Sequence, residues 1–254
     1  GVTFETTLNG SEFGSDEVVS IDVALHNSGQ EQNVRLAVTI EDENGVPVEE
    51  LAVLDKTLPY GSNERVALSW NAGSVFAGTY QVRTVLLDAA AGLIGEQIVP
   101  FTVLRDIAVN AVLTSDKVEY GPAESVGLAL TVSNQGANFI MPELKIRLTV
   151  SDTTLVHLVE EHTLANLFPM ASASLTPFWN TARNAPGRYT AAVEIFMDDS
   201  LVAASSTEFV IVPVMGISGS LSVEPKVIFL NSGVRVGYSV AGSGNVEAGT
   251  LLLK

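Results

Sequence analysis

One pattern recurs along this chain at domain-sized spacing. Phe13-Gly14 returns 107 residues later as Tyr120-Gly121, and Trp70-Asn71 returns 109 residues later as Trp179-Asn180. Gly78-Thr79-Tyr80 has its counterpart in Gly187-Arg188-Tyr189, so the Trp-to-Tyr spacing is ten residues in both copies. Asn27-Ser28-Gly29 answers to Asn134-Gln135-Gly136. A third copy then starts: Lys117-Val118-Glu119-Tyr120 is echoed by Lys226-Val227-Ile228-Phe229, and Gly136 by Gly244. A period of about 109 residues exceeds any solenoid repeat and suits a domain able to bury its own core. The expected organisation is one module over residues 1–104, a second over 105–213, and the first strands of a truncated third over 214–254. Arrays of one module are usually spacers or binding surfaces, which points away from an enzyme.

Inside each copy the apolar residues alternate with period two. Val19, Ile21, Val23 and Leu25 are matched by Val126, Leu128, Leu130 and Val132, and again by Val234, Val236, Tyr238 and Val240. Such alternation marks a strand with one buried face, and helical periodicity is almost absent. The first module reads as strands near 2–8, 18–26, 33–41, 47–53, 64–70, 79–87 and 95–104. The second reads as strands near 107–114, 124–133, 143–151, 155–161, 171–179, 187–196 and 201–212. Glu43-Asn44-Gly45 and Asp198-Asp199-Ser200 carry tight-turn chemistry. The fold class expected is all-β: tandem seven-stranded antiparallel sandwiches with an incomplete third. The joints, Val103 to Asp106 and Ile211 to Ser218, are short, which favours a semi-rigid connection.

The repeated residues define the candidate sites, and all are structural. Trp70 and Trp179 are expected to plug one end of each sandwich, with the indole N–H bonded to a loop carbonyl; the competing use is an aromatic platform for sugar or peptide. Tyr80 and Tyr189, two residues after a glycine, stand where immunoglobulin-like sandwiches place a tyrosine corner. Gly78 and Gly187 are expected to let the chain turn tightly into that strand. Asn27 and Asn134 can close a turn on the backbone, although the third copy has Gly242 there.

Taken together, the (Phe/Tyr)-Gly, alternating Val/Leu, Asn-x-Gly, Trp-Asn and Gly-x-Tyr pattern resembles tandem immunoglobulin-like or fibronectin-like modules of bacterial surface proteins, the CARDB type being the nearest. The resemblance implies an extracellular stalk, adhesin or filament segment and brings no catalytic residue with it. Its implied setting is the cell surface or the medium. Its implied partners are other chains of the same fibre or surface assembly, with a host or matrix ligand possible. An alternative is a pair of accessory modules of a larger secreted enzyme, and a third is a filament subunit completed by β-strand donation.

Charge and composition exclude several other classes. The net charge is −16, from 13 basic and 29 acidic residues, so nucleic acid and anionic lipid are poor partners. By segment, residues 1–104 carry 4 basic and 15 acidic, 105–213 carry 6 and 12, and 214–254 carry 3 and 2, giving −11, −6 and +1. There is no cysteine, which removes thiolate chemistry and leaves stability to the cores. The three histidines, His26, His157 and His162, have neither zinc spacing nor a catalytic motif around them. Glu41-Asp42-Glu43-Asn44, and Asp106 with Asp116, are the best calcium candidates. They lack a dense ligand loop, so solvated turns are expected, with no metal and no cofactor. The most apolar window, Leu201 to Leu221, alternates like a strand and includes Glu208 and Pro213, so no membrane span is expected. The chain starts with glycine, which suits a mature protein or a piece of a longer one. The third copy reads as strands near 219–224, 232–241 and 247–254, too few to close a sandwich. Continuation of the polypeptide is the expected remedy, ahead of strands donated by a neighbouring chain.

Overall fold

The computed structural model describes residues 1–224, 227 and 229–246. The fold is all-β and immunoglobulin-like, and contacts divide it into two compact units. The first holds Gly1–Ala108 together with Gln135–Ile140 and Phe168–Met170; the second holds Val109–Asn134, Met141–Leu167 and the chain from Ala171 onward.

In the first unit, β1 (Val2–Leu8), β3 (Val18–Asn27) and β6 (Asn63–Asn71) form a three-stranded antiparallel sheet. The other sheet has the order β2 (Glu12–Phe13), β8 (Leu93–Val103), β7 (Gly78–Asp88), β4 (Gln32–Asp42), β5 (Pro47–Leu58). The core lies between the two sheets. Val19, Ile21, Val23 and Leu25 come from one, and Val34, Leu36, Val38, Ile40, Val82 and Leu86 from the other. Each such side chain contributes about 1.5–3 kcal/mol when fully removed from water, so the period-two alternation fixes strand register. The two-residue β2, pairing parallel to β8 at Phe13 and Val103, lets one chain segment serve both sheets. Nothing in the alternation announces so short a strand.

The second unit repeats the plan. β10 (Glu119–Tyr120), β17 (Ser200–Ile211), β16 (Gly187–Met197), β12 (Met141–Ser151) and β13 (Val156–Leu167) form a five-stranded sheet in that order. β9 (Val109–Ser115), β11 (Ser125–Asn134), β14 (Ser172–Leu175) and β15 (Phe178–Asn180) form the other. The single strand expected at 171–179 is split. Pro177 lacks an N–H, and its carbonyl instead accepts from Leu128 N at 2.9 Å. The strand expected to stop at residue 53 runs on to Leu58, because Leu54 and Leu58 still pack inward while Asp55 and Lys56 punctuate the pattern. Asp198 and Asp199 both take left-handed φ, +48° and +61°, in the two-residue turn between β16 and β17.

A hairpin follows. β18 (Ile217–Glu224) pairs antiparallel with β19 (Arg235–Gly242), and among the described residues neither strand joins another sheet. The third strand expected at 247–254 lies outside the described residues. Among the described residues no helix is long and apolar enough to cross a membrane.

Candidate functional site

The repeated residues of each unit converge on a cluster of four rings. In the first unit Trp70 on β6 lies 5.7 Å from Phe101 on β8 and 6.0 Å from Tyr80 on β7, centroid to centroid. Tyr80 stacks on Phe101 at 6.0 Å, and Phe13 meets Phe101 edge-on at 5.8 Å. In the second unit Trp179, Tyr189 and Phe209 are 5.7 to 6.2 Å apart, and Tyr120 meets Phe209 edge-on at 5.4 Å. Trp70 is 3% exposed and Trp179 is 7% exposed, so neither indole offers an open face to a sugar or peptide. Phe101 and Phe209 were not singled out from the sequence, yet each lies at the centre of its cluster.

Both tyrosines make the same bond. Tyr80 Oη donates to the Phe76 carbonyl and Tyr189 Oη to the Ala185 carbonyl, each at 2.8 Å and four residues back. Burial raises the pKa of both phenols, aided by the nearby charges of Asp42 and Asp152 respectively. The glycines two residues upstream differ. Gly187 has φ +156°, a conformation L side chains seldom adopt, whereas Gly78 has no positive φ and a Cβ there would sit at an ordinary 3.9 Å from the Tyr80 ring. A glycine-only turn is therefore needed at Gly187 but not at Gly78.

The indole partner also departs from expectation. Trp70 Nε1 donates to Glu49 Oε2 of β5 at 2.9 Å, a carboxylate rather than a loop carbonyl. In the second unit the ring of His157, on β13, covers the same end, 5.9 Å from Trp179 and 5.3 Å from Tyr189. Its Nε2 lies 2.9 Å from Asp152 Oδ2, with the His157 side chain 14% exposed. That contact, with bonds from Thr154 and Leu155, holds the Asp152 carboxyl well below the usual carboxylate range.

Three polar positions repeat as backbone anchors. Asn27, fully buried, accepts from Gly29 N at 2.9 Å and donates to the carbonyls of Gln30 and Leu58, each at 2.8 Å. Asn134 is buried likewise and donates to the Leu167 carbonyl at 3.1 Å, the counterpart of Leu58. Asn71 and Asn180 each accept from the N–H two residues on, at 2.9 and 2.8 Å, which explains the Trp-Asn pairing. Glu17 accepts from Gly14 N, and Glu124 from Gly121 N, closing the turn after Phe13 and Tyr120. The last pair, spaced Gly-x-x-Glu in both copies, was readable in the sequence and overlooked. Tyr120 itself donates to Asp116 and accepts from Lys117 N; burial and that carboxylate push the phenol up to about 12.

The acidic turns are likewise spent on structure. Asp42 accepts from Asn44 N and Val46 N at 2.8 and 2.9 Å, while buried Glu41 accepts from Gln81 at 2.9 Å. Asp106 accepts from Ala137 N at 2.9 Å, and Asp116 from Gly127 N at 2.9 Å. Among the described residues no three His, Asp or Glu side chains gather as metal ligands. His26 pairs with Asn63 at 2.8 Å, and His162 Nε2 lies 3.5 Å from Glu160.

No family model matches the chain, and no curated protein does. Among solved structures it is similar to a red sea bream transglutaminase, at 12% identity and TM-score 0.30, over 82% of this chain and 31% of that one. It is similar to the CARDB domain of a Pyrococcus furiosus protein in complex with di-metal ions, at 15% identity and TM-score 0.34, over 42% and 90%. It is also similar to a Listeria innocua β-glucosidase in complex with isofagomine, at 15% identity and TM-score 0.32, over 41% and 16%. The chain thus spans less than a third of the transglutaminase and of the β-glucosidase. The chain's own sheets, rather than these likenesses, define its fold.

Proposed function

We infer that this chain is a non-enzymatic structural and adhesive repeat segment of a secreted or surface-anchored bacterial protein, acting as part of a stalk or fibre. The observation that carries the reading is the double use of one scaffold. Side chains with chemical potential, the Trp, Tyr, Asn and Glu of each copy, are committed to holding rings and turns at equivalent places. The two copies also differ in net charge, −11 over residues 1–104 and −6 over 105–213, and it is at its surface that a repeat array meets its partners. Those partners are other chains of the same assembly or a host or matrix ligand. The net charge of −16 disfavours nucleic acid. Labelling of intact producing cells with an antibody to this segment tests the setting: surface labelling is expected, and labelling only after permeabilisation overturns it. Force spectroscopy tests the mechanical role. Two unfolding events are expected, each releasing roughly 30–35 nm of chain; a single event at low force, or turnover of any glycoside or peptide substrate, would count against a stalk.

A further inference from the structure

A glycine with an asparagine close behind it recurs in two loops: Gly136-Ala137-Asn138 after β11, and Gly244-Asn245 after β19. Both asparagines grip the segment that leaves the last strand of a five-stranded sheet, β8 or β17. Asp106 N donates to Asn138 Oδ1 at 2.9 Å, and Asn138 Nδ2 donates to the Leu104 carbonyl at 2.9 Å. Val214 N donates to Asn245 Oδ1 at 2.8 Å, and Asn245 Nδ2 donates to the Val212 carbonyl at 3.1 Å. One backbone bond completes each bracket: Gln135 N to the Ala108 carbonyl at 2.7 Å, and Ser243 N to the Gly216 carbonyl at 2.8 Å. The gripped positions 104, 106 and 108 recur as 212, 214 and 216, an offset of 108 throughout. The first bracket lies wholly within the first unit and the second within the second. Asn138 is 1% exposed, and its amide tolerates that burial because both of its ends are paired. A Cβ at Gly244 would run into the Val214 carbonyl oxygen, so glycine is what lets that loop lie so close.

We propose that these asparagines are joint clasps: a loop of each following repeat is a receptor for the peptide leaving the preceding sheet, and this bracket, rather than linker length, sets the backbone freedom of a joint. Each clasp satisfies a carbonyl and the N–H two residues on, groups that a neighbouring strand would otherwise pair, in a segment that lies outside any strand. The two clasps are unequal. In the first, the Asn138 carbonyl also accepts from Ala77 N at 2.8 Å, and Ala137 N donates to Asp106 Oδ2 at 2.9 Å. The Arg105 guanidinium lies 4.8 Å from the centre of the Phe139 ring. The tie to Ala77 cannot be copied. The Tyr80–Phe76 and Tyr189–Ala185 bonds align Ala77 with Pro186, and proline has no N–H to donate. The second clasp adds a backbone bond instead, Asn245 N to the Val214 carbonyl at 3.1 Å. The first joint is therefore the more tightly held. This goes beyond the stalk reading, and surface labelling can fail while the clasps hold, and the reverse.

The test is amide hydrogen exchange of the 254-residue chain, read residue by residue. The Asp106 and Val214 amides should be protected although neither residue lies in a strand, with Asp106 the slower to exchange. Asn138→Ala should speed exchange at Asp106 about tenfold or more and leave Val214 unchanged, and Asn245→Ala should do the reverse. Ala77 bonds to the backbone of residue 138 rather than to its side chain, so its faster exchange in Asn138→Ala would report the whole loop lifting away. Slow exchange at the core amides of Val38 and Val193 identifies variants in which both units stay folded. Trypsin gives a second readout through Arg105, an exposed residue inside the first bracket. Cleavage after Arg105 should be slow in the parent chain and about tenfold faster in Asn138→Ala, because proteolysis follows the open population. Asp106 and Val214 amides that exchange at unstructured rates in the parent chain, or exchange and cleavage left unmoved by Asn138→Ala, overturn the proposal.

Discussion

The two sandwiches build the same ring cluster and close it differently. Around Trp70 the polar partner is a carboxylate, Glu49, accepting from the indole. Around Trp179 it is an imidazole, His157, lying against the rings and braced by Asp152. The fourth ring differs as well: Phe13 in the first unit, Tyr120 bonded to Asp116 in the second. The contrast separates two kinds of constraint. Ring positions are dictated by packing between two sheets, where volume and register leave little freedom. The groups at the rim need only satisfy local polar atoms, and several chemistries do so.

The largest expected effect tests the shared part. Trp70→Ala and Trp179→Ala should each destabilise their unit by about 3–5 kcal/mol in denaturant unfolding, since each removes a buried indole from contact with at least two other rings. Comparable losses in both units would sharpen the comparison. A loss below about 1 kcal/mol in either would break it, because that ring would then be rim rather than core.

Next come the buried asparagines. Asn27→Ala and Asn134→Ala strand the carbonyls of Leu58 and Leu167, at a cost of about 1–3 kcal/mol each. Aspartate at either position should be at least as damaging, since it offers no N–H to those carbonyls. Equal denaturation midpoints for either variant and the parent chain would show the anchor to be dispensable.

The unlike part responds to pH. Three carboxyls of the second unit, Asp116, Glu124 and Asp152, are held below their usual range by hydrogen bonds, as is the exposed Asp55 in the first. A depressed carboxyl stabilises above its unfolded pKa of about 4, and that contribution disappears as pH falls through the folded value. Acid should therefore weaken the second unit more than the first, with Asp152→Asn reducing the difference. At high pH the sign reverses. Tyr120, raised to about 12, stabilises fully below the unfolded pKa of about 10 and ceases to do so as pH rises through the folded value. Tyr120→Phe, which copies Phe13, should remove that part of the alkaline sensitivity. Thermal unfolding across pH with separate probes for Trp70 and Trp179 decides both; identical acid and alkaline limbs in the two units would end the distinction.

Much of this frame was legible before any coordinates, for a physical reason. Val19 to Leu25 and Val126 to Val132 alternate because one face must leave water, and Trp70, Tyr80, Trp179 and Tyr189 recur because their volumes fill a shared space. The rim was not legible. His157 is an unremarkable histidine in a strand until the turn at Asp152 brings it over Trp179. Glu49 reads as one more solvated acid until β5 pairs with β4. The short β2 and β10 were invisible because two residues carry no period, and the break at Pro177 was passed over because the flanking residues still alternate. The wider fold follows from local pattern, whereas the closing contacts depend on which loop returns to which sheet.

The smallest expected effect concerns the glycines that precede the two tyrosines. From sequence Gly78 and Gly187 are equivalent, and the backbone makes them unlike. At Gly187 the φ of +156° penalises any Cβ even though nothing lies within 4 Å to collide with it. Gly187→Ala should therefore cost about 1 kcal/mol through conformation alone. At Gly78 no such penalty applies, and alanine also lowers the entropy of the unfolded chain, so Gly78→Ala should be neutral or stabilising by up to about 0.5 kcal/mol. The measurement is a pair of denaturant titrations with the m-value held as a check on two-state behaviour. Equal costs at the two sites would mean that the glycine serves the tyrosine corner itself, through room for the Tyr80 and Tyr189 rings. Unequal costs place its role in the local backbone of the second unit, where the rim is built differently.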